Sequence, residues 1–227
     1  MSFYVYDIIF LIAFSLFVTI FLIKRRHKLK REGILFLYKT KRGIKFIDYA
    51  SKKFSKLLMA SRGVVIFVGY FLMVAMFYLL FQLVYIFAKS PEIVRAVKVP
   101  PIFPLVPYLP EIFKIDFLPP FYFTYWIIVI AIIAVFHEFS HGIFSRVNGI
   151  KIKSTGFGFL GPFLAAFVEP EEKKMKKKKI FPQLSIIAAG SFANVIISII
   201  SFIMLVFFFL IAFNPAGVIF NTYTFST

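Results

Sequence analysis

The sequence predicts an all-α membrane protein with four transmembrane helices and a short re-entrant or β-hairpin segment between the third and the fourth. Three observations carry that prediction. The 227 residues are 60% hydrophobic, 20% aromatic and only 16% charged, too apolar for a soluble domain of this length. Apolar runs at about residues 4–23, 64–88, 121–145 and 182–213 each reach the roughly 20 residues that carry a helix across ~30 Å of hydrocarbon. The basic residues are also unevenly spread. Fourteen of the 27 fall in 24–62 and nine in 146–179, leaving Lys89, Arg95, Lys98 and Lys114 for the other long connection. Such asymmetry predicts that the first and third connections are cytoplasmic and face anionic headgroups, with the N-terminus and the chain after the fourth helix outside. The net charge of +17 is thereby assigned to a lipid bilayer, and nucleic acid is not expected as a partner.

Each element has its own justification. The first apolar run ends in Lys24-Arg-Arg26, has no basic residue ahead of it and no small-residue cleavage site, so it reads as a retained helix and not a signal peptide. Cysteine is absent, which excludes a disulfide framework, a thiolate nucleophile and a thiolate metal ligand. The first inner loop reads as a short apolar segment at 33–38, a basic turn at 39–43, and an amphipathic helix at 44–50 lying on the membrane surface. The outer connection, 89–120, carries Pro91, Pro100, Pro101, Pro104, Pro107, Pro110, Pro119 and Pro120, through which no regular helix persists. Residues 154–169 are apolar, yet glycines interrupt them, which predicts a pair of strands or a loop dipping beside the helices. Two roles stay open for that segment: an edge along which a substrate strand pairs, or an interfacial loop with no binding role. The chain therefore divides into residues 1–62 (first helix, basic loop, interfacial helix), 63–120 (second helix and Pro-rich outer loop), 121–213 (the core with the chemistry) and 214–227 (the start of an outer segment).

The chemistry lies in His137-Glu-Phe-Ser-His141, inside the third run. Histidines four apart leave one helical face about 6 Å from each other, which suits two positions on one tetrahedral zinc ion. Glu138, about 100° round the helix, can reach a water that zinc has acidified towards pKa ~7 and take its proton, making a nucleophile for a peptide carbonyl. Three ionisable residues in five positions of a membrane helix need such a reason, since each is unfavourable by roughly 2.5 kcal/mol or more at the bilayer centre. His137 lies about 24 Å along its helix from the outer end, in the inner half of the bilayer. Ala134, His137, His141 and Ser145 share one stripe, which should face other helices and a hydrated cavity. His27, in a basic run, reads as a solvated surface residue. On the fourth run Gly190, Asn194 and Ser198 form a stripe of small and polar residues. Asn194 either donates to a substrate carbonyl or developing oxyanion, or belongs to an ordinary helix-packing device.

Together, Phe136-His-Glu-Phe-Ser-His-Gly142, the glycine-rich stretch after it and the Ala-Gly-Ser-Phe-Ala-Asn run ending at Asn194 resemble the site-2 protease family of intramembrane zinc metalloproteases, in its archaeal and eukaryotic-like branch. The resemblance implies one zinc ion held by His137 and His141, Glu138 as general base, Asn194 as a substrate or oxyanion contact, and membrane-dipping strands within 156–167 that present a membrane-anchored protein substrate. The family completes its zinc site with an aspartate on a later helix. The aspartates here, Asp7, Asp48 and Asp116, precede the histidines and read as lying outside the hydrocarbon, while Glu169 and Glu171, beside a lysine run, read as solvated loop charges. The expectation is that an outer peptide-binding domain begins near 214, and that its remainder and the aspartate lie beyond Thr227. Three other readings compete. A catalytically inactive zinc-binding scaffold or sensor would keep the fold without turnover. A zinc transporter would have no need of a glutamate beside its first ligand. A CAAX-type protease would need a downstream glutamate on a helix. Oligomeric state, substrate identity and cleaved bond are not written in the sequence.

Overall fold

The computed structural model of the protein describes residues 3–90, 92, 106–113, 115, 118–160 and 163–213. The expectations for Pro91, Pro100, Pro101, Pro104, Arg95, Lys98, Lys114, Asp116 and residues 214–227 lie outside the described residues. In chain order the elements are helix α1 (Phe3–Arg25), strands β1 (Leu29–Glu32) and β2 (Leu35–Thr40), and helices α2 (Arg42–Lys53), α3 (Ser55–Lys89) and α4 (Phe123–Val147). Strands β3 (Ile152–Leu160) and β4 (Phe163–Pro170) and helix α5 (Ile180–Ala212) follow. Short helical turns occupy Leu109–Ile112 and Glu172–Lys176. Among the described residues four helices, α1, α3, α4 and α5, are long and apolar enough to cross a membrane. Helix α3, 35 residues long, begins nine residues before the apolar run at 64, so at 1.5 Å per residue it spans about 50 Å and outruns the hydrocarbon.

The all-α expectation needs amending, because the protein is mostly helical but also contains an antiparallel sheet in the order β1-β2-β3-β4. The apolar segment at 33–38 is not an isolated stretch. It is the turn and strand of a hairpin, with Gly33 at φ 62° reversing the chain where a side chain would be strained. Strand β2 then pairs with β3, Phe36 opposite Phe159 and Thr40 opposite Thr155, and β3 pairs with β4. Lys39 of β2 reaches Glu169 of β4 across β3 at 2.9 Å, and Ser154 donates to the same Glu169 oxygen at 2.6 Å. The Ser154 hydroxyl, then Lys39, hold the Glu169 carboxyl below the usual carboxylate range. The lysine ammonium is raised in turn by its bond to Glu169.

By compactness the chain falls into residues 1–194 and 195–227. In the first unit, Ile47 of α2 is fully buried against Ile152 of β3 and Val168 of β4, with Phe139 and Ile143 of α4 beside it, and the Asp48 carboxylate pairs α2 with Arg146 of α4 at 2.5 Å. Val65 of α3, Phe144 of α4 and Ile186 and Ala189 of α5 build a second buried cluster. In the second unit the described part of α5, 195–212, is a helix apolar but for Ser198 and Ser201 and mostly exposed, a surface suited to lipid.

Asp7 has a structural task of its own. It sits on the apolar helix α1 and is only 1% exposed. Helix α4 begins at Phe123 with no side-chain cap of its own, and Asp7 of α1 supplies one, accepting the N–H groups of Phe123 and Thr124 at 2.8 Å each. The Thr124 and Tyr108 hydroxyls donate to the same carboxylate. Burial and that neighbouring carboxylate push the Tyr108 phenol well above its ordinary value. A carboxylate at a helix N-terminus answers both the orphan donors and the positive end of the macrodipole. Removing it as Asp7→Ala is therefore expected to destabilise the fold by roughly 2–4 kcal/mol, since charged hydrogen bonds are lost and buried donors are stranded. Denaturant unfolding of the purified protein in detergent checks this, and an unchanged midpoint would show that the cap contributes nothing.

Candidate metal centre

Helix α4 runs unbroken from Phe123 to Val147, so His137 and His141 stand one turn apart on the same face. Their rings are 4.7 Å apart between centroids and nearly perpendicular, at 77°. The two Nε2 atoms converge to 3.1 Å. Ligand atoms at 2.0–2.1 Å from a tetrahedral zinc ion are separated by about 3.4 Å, so the pair fits two coordination positions with a small opening of the rings. The face predicted to look towards other helices does so. His141 Nδ1 lies 2.6 Å from the Ile186 carbonyl oxygen of α5, and His137 Nδ1 lies 3.1 Å from the Asn194 side-chain amide nitrogen. Both rings lie over Gly190, where an added Cβ would come within 2.5 Å of His137 Nε2 and nearer still to His141 Nε2. The expected Gly190 and Asn194 stripe is thus what faces the histidines within residues 1–194.

Glu138 leaves α4 in another direction, towards the sheet. Its Oε2 accepts the Val168 N–H of β4 at 3.1 Å. Among the described residues β4 pairs with β3 alone, so this N–H points away from the sheet, to α4, which packs along β4 and buries Val168. Glu138 and the β4 backbone that β3 leaves unpaired therefore meet at Val168. Behind them a cleft of about 360 Å³ opens between α4 and the sheet, with Val135 and Phe139 on one wall and Tyr38, Thr155 and Phe157 on the other.

Among the described residues, no group of three or more His, Cys, Asp or Glu side chains is gathered to hold a metal. Glu169 is taken up by Lys39 and Ser154, Glu171 by Lys174 at 2.7 Å, Asp48 by Arg146 and Asp7 by the start of α4. His27 is exposed and lies beside Arg26. From the sequence Asp7 and Asp48 stand only as metal ligands to be set aside, and Val168 does not stand out at all. The first two carry no local motif, and the third acts through its backbone.

Residues 125–225 match the model of peptidase family M50. An uncharacterized protein of Methanocaldococcus jannaschii is 29% identical over 208 residues, covering 88% of this chain. The chain spans about half, 51%, of that relative's length. No solved structure matches the chain.

Proposed function

From a chain whose residues 125–225 match peptidase family M50, the site-2 protease family, we propose a zinc metalloendopeptidase that cleaves membrane-anchored proteins in or near their membrane-spanning segments. The single observation that carries the reading is the convergence of two imidazole Nε2 atoms to 3.1 Å on a helix where Glu138, beside the first of them, accepts a strand N–H that no other strand uses. His137 and His141 hold the metal, and 121–213 is the protease core.

Bound there, zinc supplies Lewis-acid polarisation and makes a water acidic enough to ionise near neutral pH. The protein's own groups do the rest. An extended substrate segment adds to the edge of β4, where Val168 offers its N–H, and main-chain pairing sets the scissile carbonyl beside α4. Once Val168 N–H turns to the substrate, Glu138 is released to take a proton from the attacking water as the new C–O bond forms. The same carboxyl returns that proton to the departing amine nitrogen as the C–N bond breaks. Asn194 reaches the same face as the histidines, and an N–H from it would stabilise the developing oxyanion. The strands β3 and β4 dip into the membrane to present this edge, and the basic connections at 24–62 and 146–179 lie on the cytoplasmic side among anionic headgroups.

The test is metal content and cleavage measured together. Membranes bearing the protein are expected to cut a reporter anchored by a single membrane-spanning segment. A chelator is expected to stop cleavage, and added zinc to restore it. His137→Ala and His141→Ala are each expected to lose both metal and cleavage. Zinc retained by the wild type with no cleavage of any membrane-anchored reporter would favour the inactive scaffold instead, and cleavage indifferent to chelation would remove the metal from the proposal.

A further inference from the structure

We propose that Asn194 is a positioning residue for His137, its amide oxygen receiving the Nδ1–H of the tautomer whose bare Nε2 faces a divalent cation. The inference rests on the reading of the two imidazoles as metal ligands. A neutral imidazole that offers Nε2 to a metal carries its proton on Nδ1, and that N–H needs an acceptor to fix tautomer and ring orientation. His141 has one. Its Nδ1 is 2.6 Å from the Ile186 carbonyl oxygen, which can only accept, so the proton is on Nδ1 and Nε2 is bare.

The group at His137 Nδ1 is the Asn194 amide, whose Nδ2 lies 3.1 Å away. An NH₂ group only donates, so in this arrangement Nδ1 is bare and the proton of His137 is on Nε2. That Nε2–H points at the bare Nε2 of His141, 3.1 Å away. The result is a chain of donors and acceptors from Asn194 through His137 and His141 to the Ile186 carbonyl, with the Gly190 backbone also bonded to His137, and no bare nitrogen pair for a cation. One atom is left out of it: Asn194 Oδ1 is buried and has no hydrogen-bond partner. A buried amide oxygen without a donor is unfavourable.

A half-turn of the amide about χ2 gives the stranded oxygen a donor and sends the NH₂ to the place it left. Oδ1 then meets Nδ1, the proton of His137 moves from Nε2 to Nδ1 by way of water, and both Nε2 atoms become bare. Asn194 thus has two amide orientations, each matched to one tautomer of His137, one closed to metal and one ready for it. Positioning His137 requires the amide oxygen, whereas an oxyanion contact requires the amide NH₂. One substitution can therefore tell them apart.

The experiment compares the wild type with Asn194→Asp, which has the same shape but only acceptors, and with Asn194→Ala. Purified metal-free protein is titrated with zinc and with cobalt, and the tautomer of His137 is read from imidazole ¹⁵N shifts at alkaline pH. Asn194→Ala is expected to weaken metal binding roughly 10–100-fold. Asn194→Asp is expected to bind at least as tightly as the wild type and to show the Nδ1–H tautomer of His137 without metal, where the wild type shows Nε2–H. Unchanged affinity in Asn194→Ala, or Asn194→Asp with affinity as low as that of Asn194→Ala or with the Nε2–H tautomer, would overturn the assignment. If the wild type itself takes up no zinc, the protease reading fails, while the metal-free tautomer comparison still decides the role of Asn194.

Discussion

Glu138→Gln is expected to lower reporter cleavage by about 10²–10⁴-fold while leaving bound zinc unchanged, the signature of a lost proton acceptor in an intact metal site. By transition-state arithmetic that loss is about 3–5 kcal/mol. Glutamine keeps the size of the side chain, and its amide oxygen can still accept the Val168 N–H that the carboxylate accepts at 3.1 Å. The resting contact with β4 therefore survives the substitution, and stability should move little. Glu138 does not share the histidines' polar contacts, which run to Ile186 and Asn194 on α5, so metal affinity has no reason to fall. Zinc measured by atomic absorption beside a gel assay of the reporter checks both halves. Undiminished cleavage would remove Glu138 from the chemistry. Loss of zinc together with cleavage would make it part of the metal's support.

What could be read ahead of the structure was whatever repeats at a helical period. The i and i+4 histidines, the four apolar runs, and the small-residue face with Gly190 and Asn194 all follow from one residue's position relative to another on the same helix. Contacts between distant elements could not be read this way. Asp7 caps α4 across 116 residues of chain, and no pattern around Asp7 distinguishes a capping carboxylate from a stray one. Strand β2, and with it β1, looks like a loop because the β3 that pairs with β2 lies about 120 residues on, and pairing energy resides in that partner. Glycines at 156 and 158 announced that no helix could form there, but not that a four-stranded sheet would bring its edge to Glu138. Glu169, read as a solvated charge, is instead drawn across the sheet by Lys39 and Ser154, again a matter of register.

Gly190→Ala is expected to abolish metal uptake, and cleavage with it, while sparing the fold. An alanine Cβ at 190 would lie 2.5 Å from His137 Nε2 and 2.6 Å from His137 Cε1, and it would press on His141 Nε2 as well. No Cβ is tolerated at such separations, so the rings must turn away. Each ring is tied at its far nitrogen, His141 to the Ile186 carbonyl and His137 to Asn194, so turning breaks a hydrogen bond and separates the two Nε2 atoms. The helix itself gains from the exchange, since alanine is the better helix former by about 1 kcal/mol in its interior. Gly69→Ala provides the control. Its Cβ would meet Ala188 Cβ at 2.7 Å, a comparable overlap where α3 meets α5, with no histidine atom among its near neighbours. Zinc titration of both variants is expected to show at least a hundredfold loss for Gly190→Ala and little for Gly69→Ala. Equal losses would mean that helix spacing, and not space beside the imidazoles, governs the metal. Full zinc binding by Gly190→Ala would mean that the rings have room the structure denies them, and that the convergence of their Nε2 atoms is not built by this glycine.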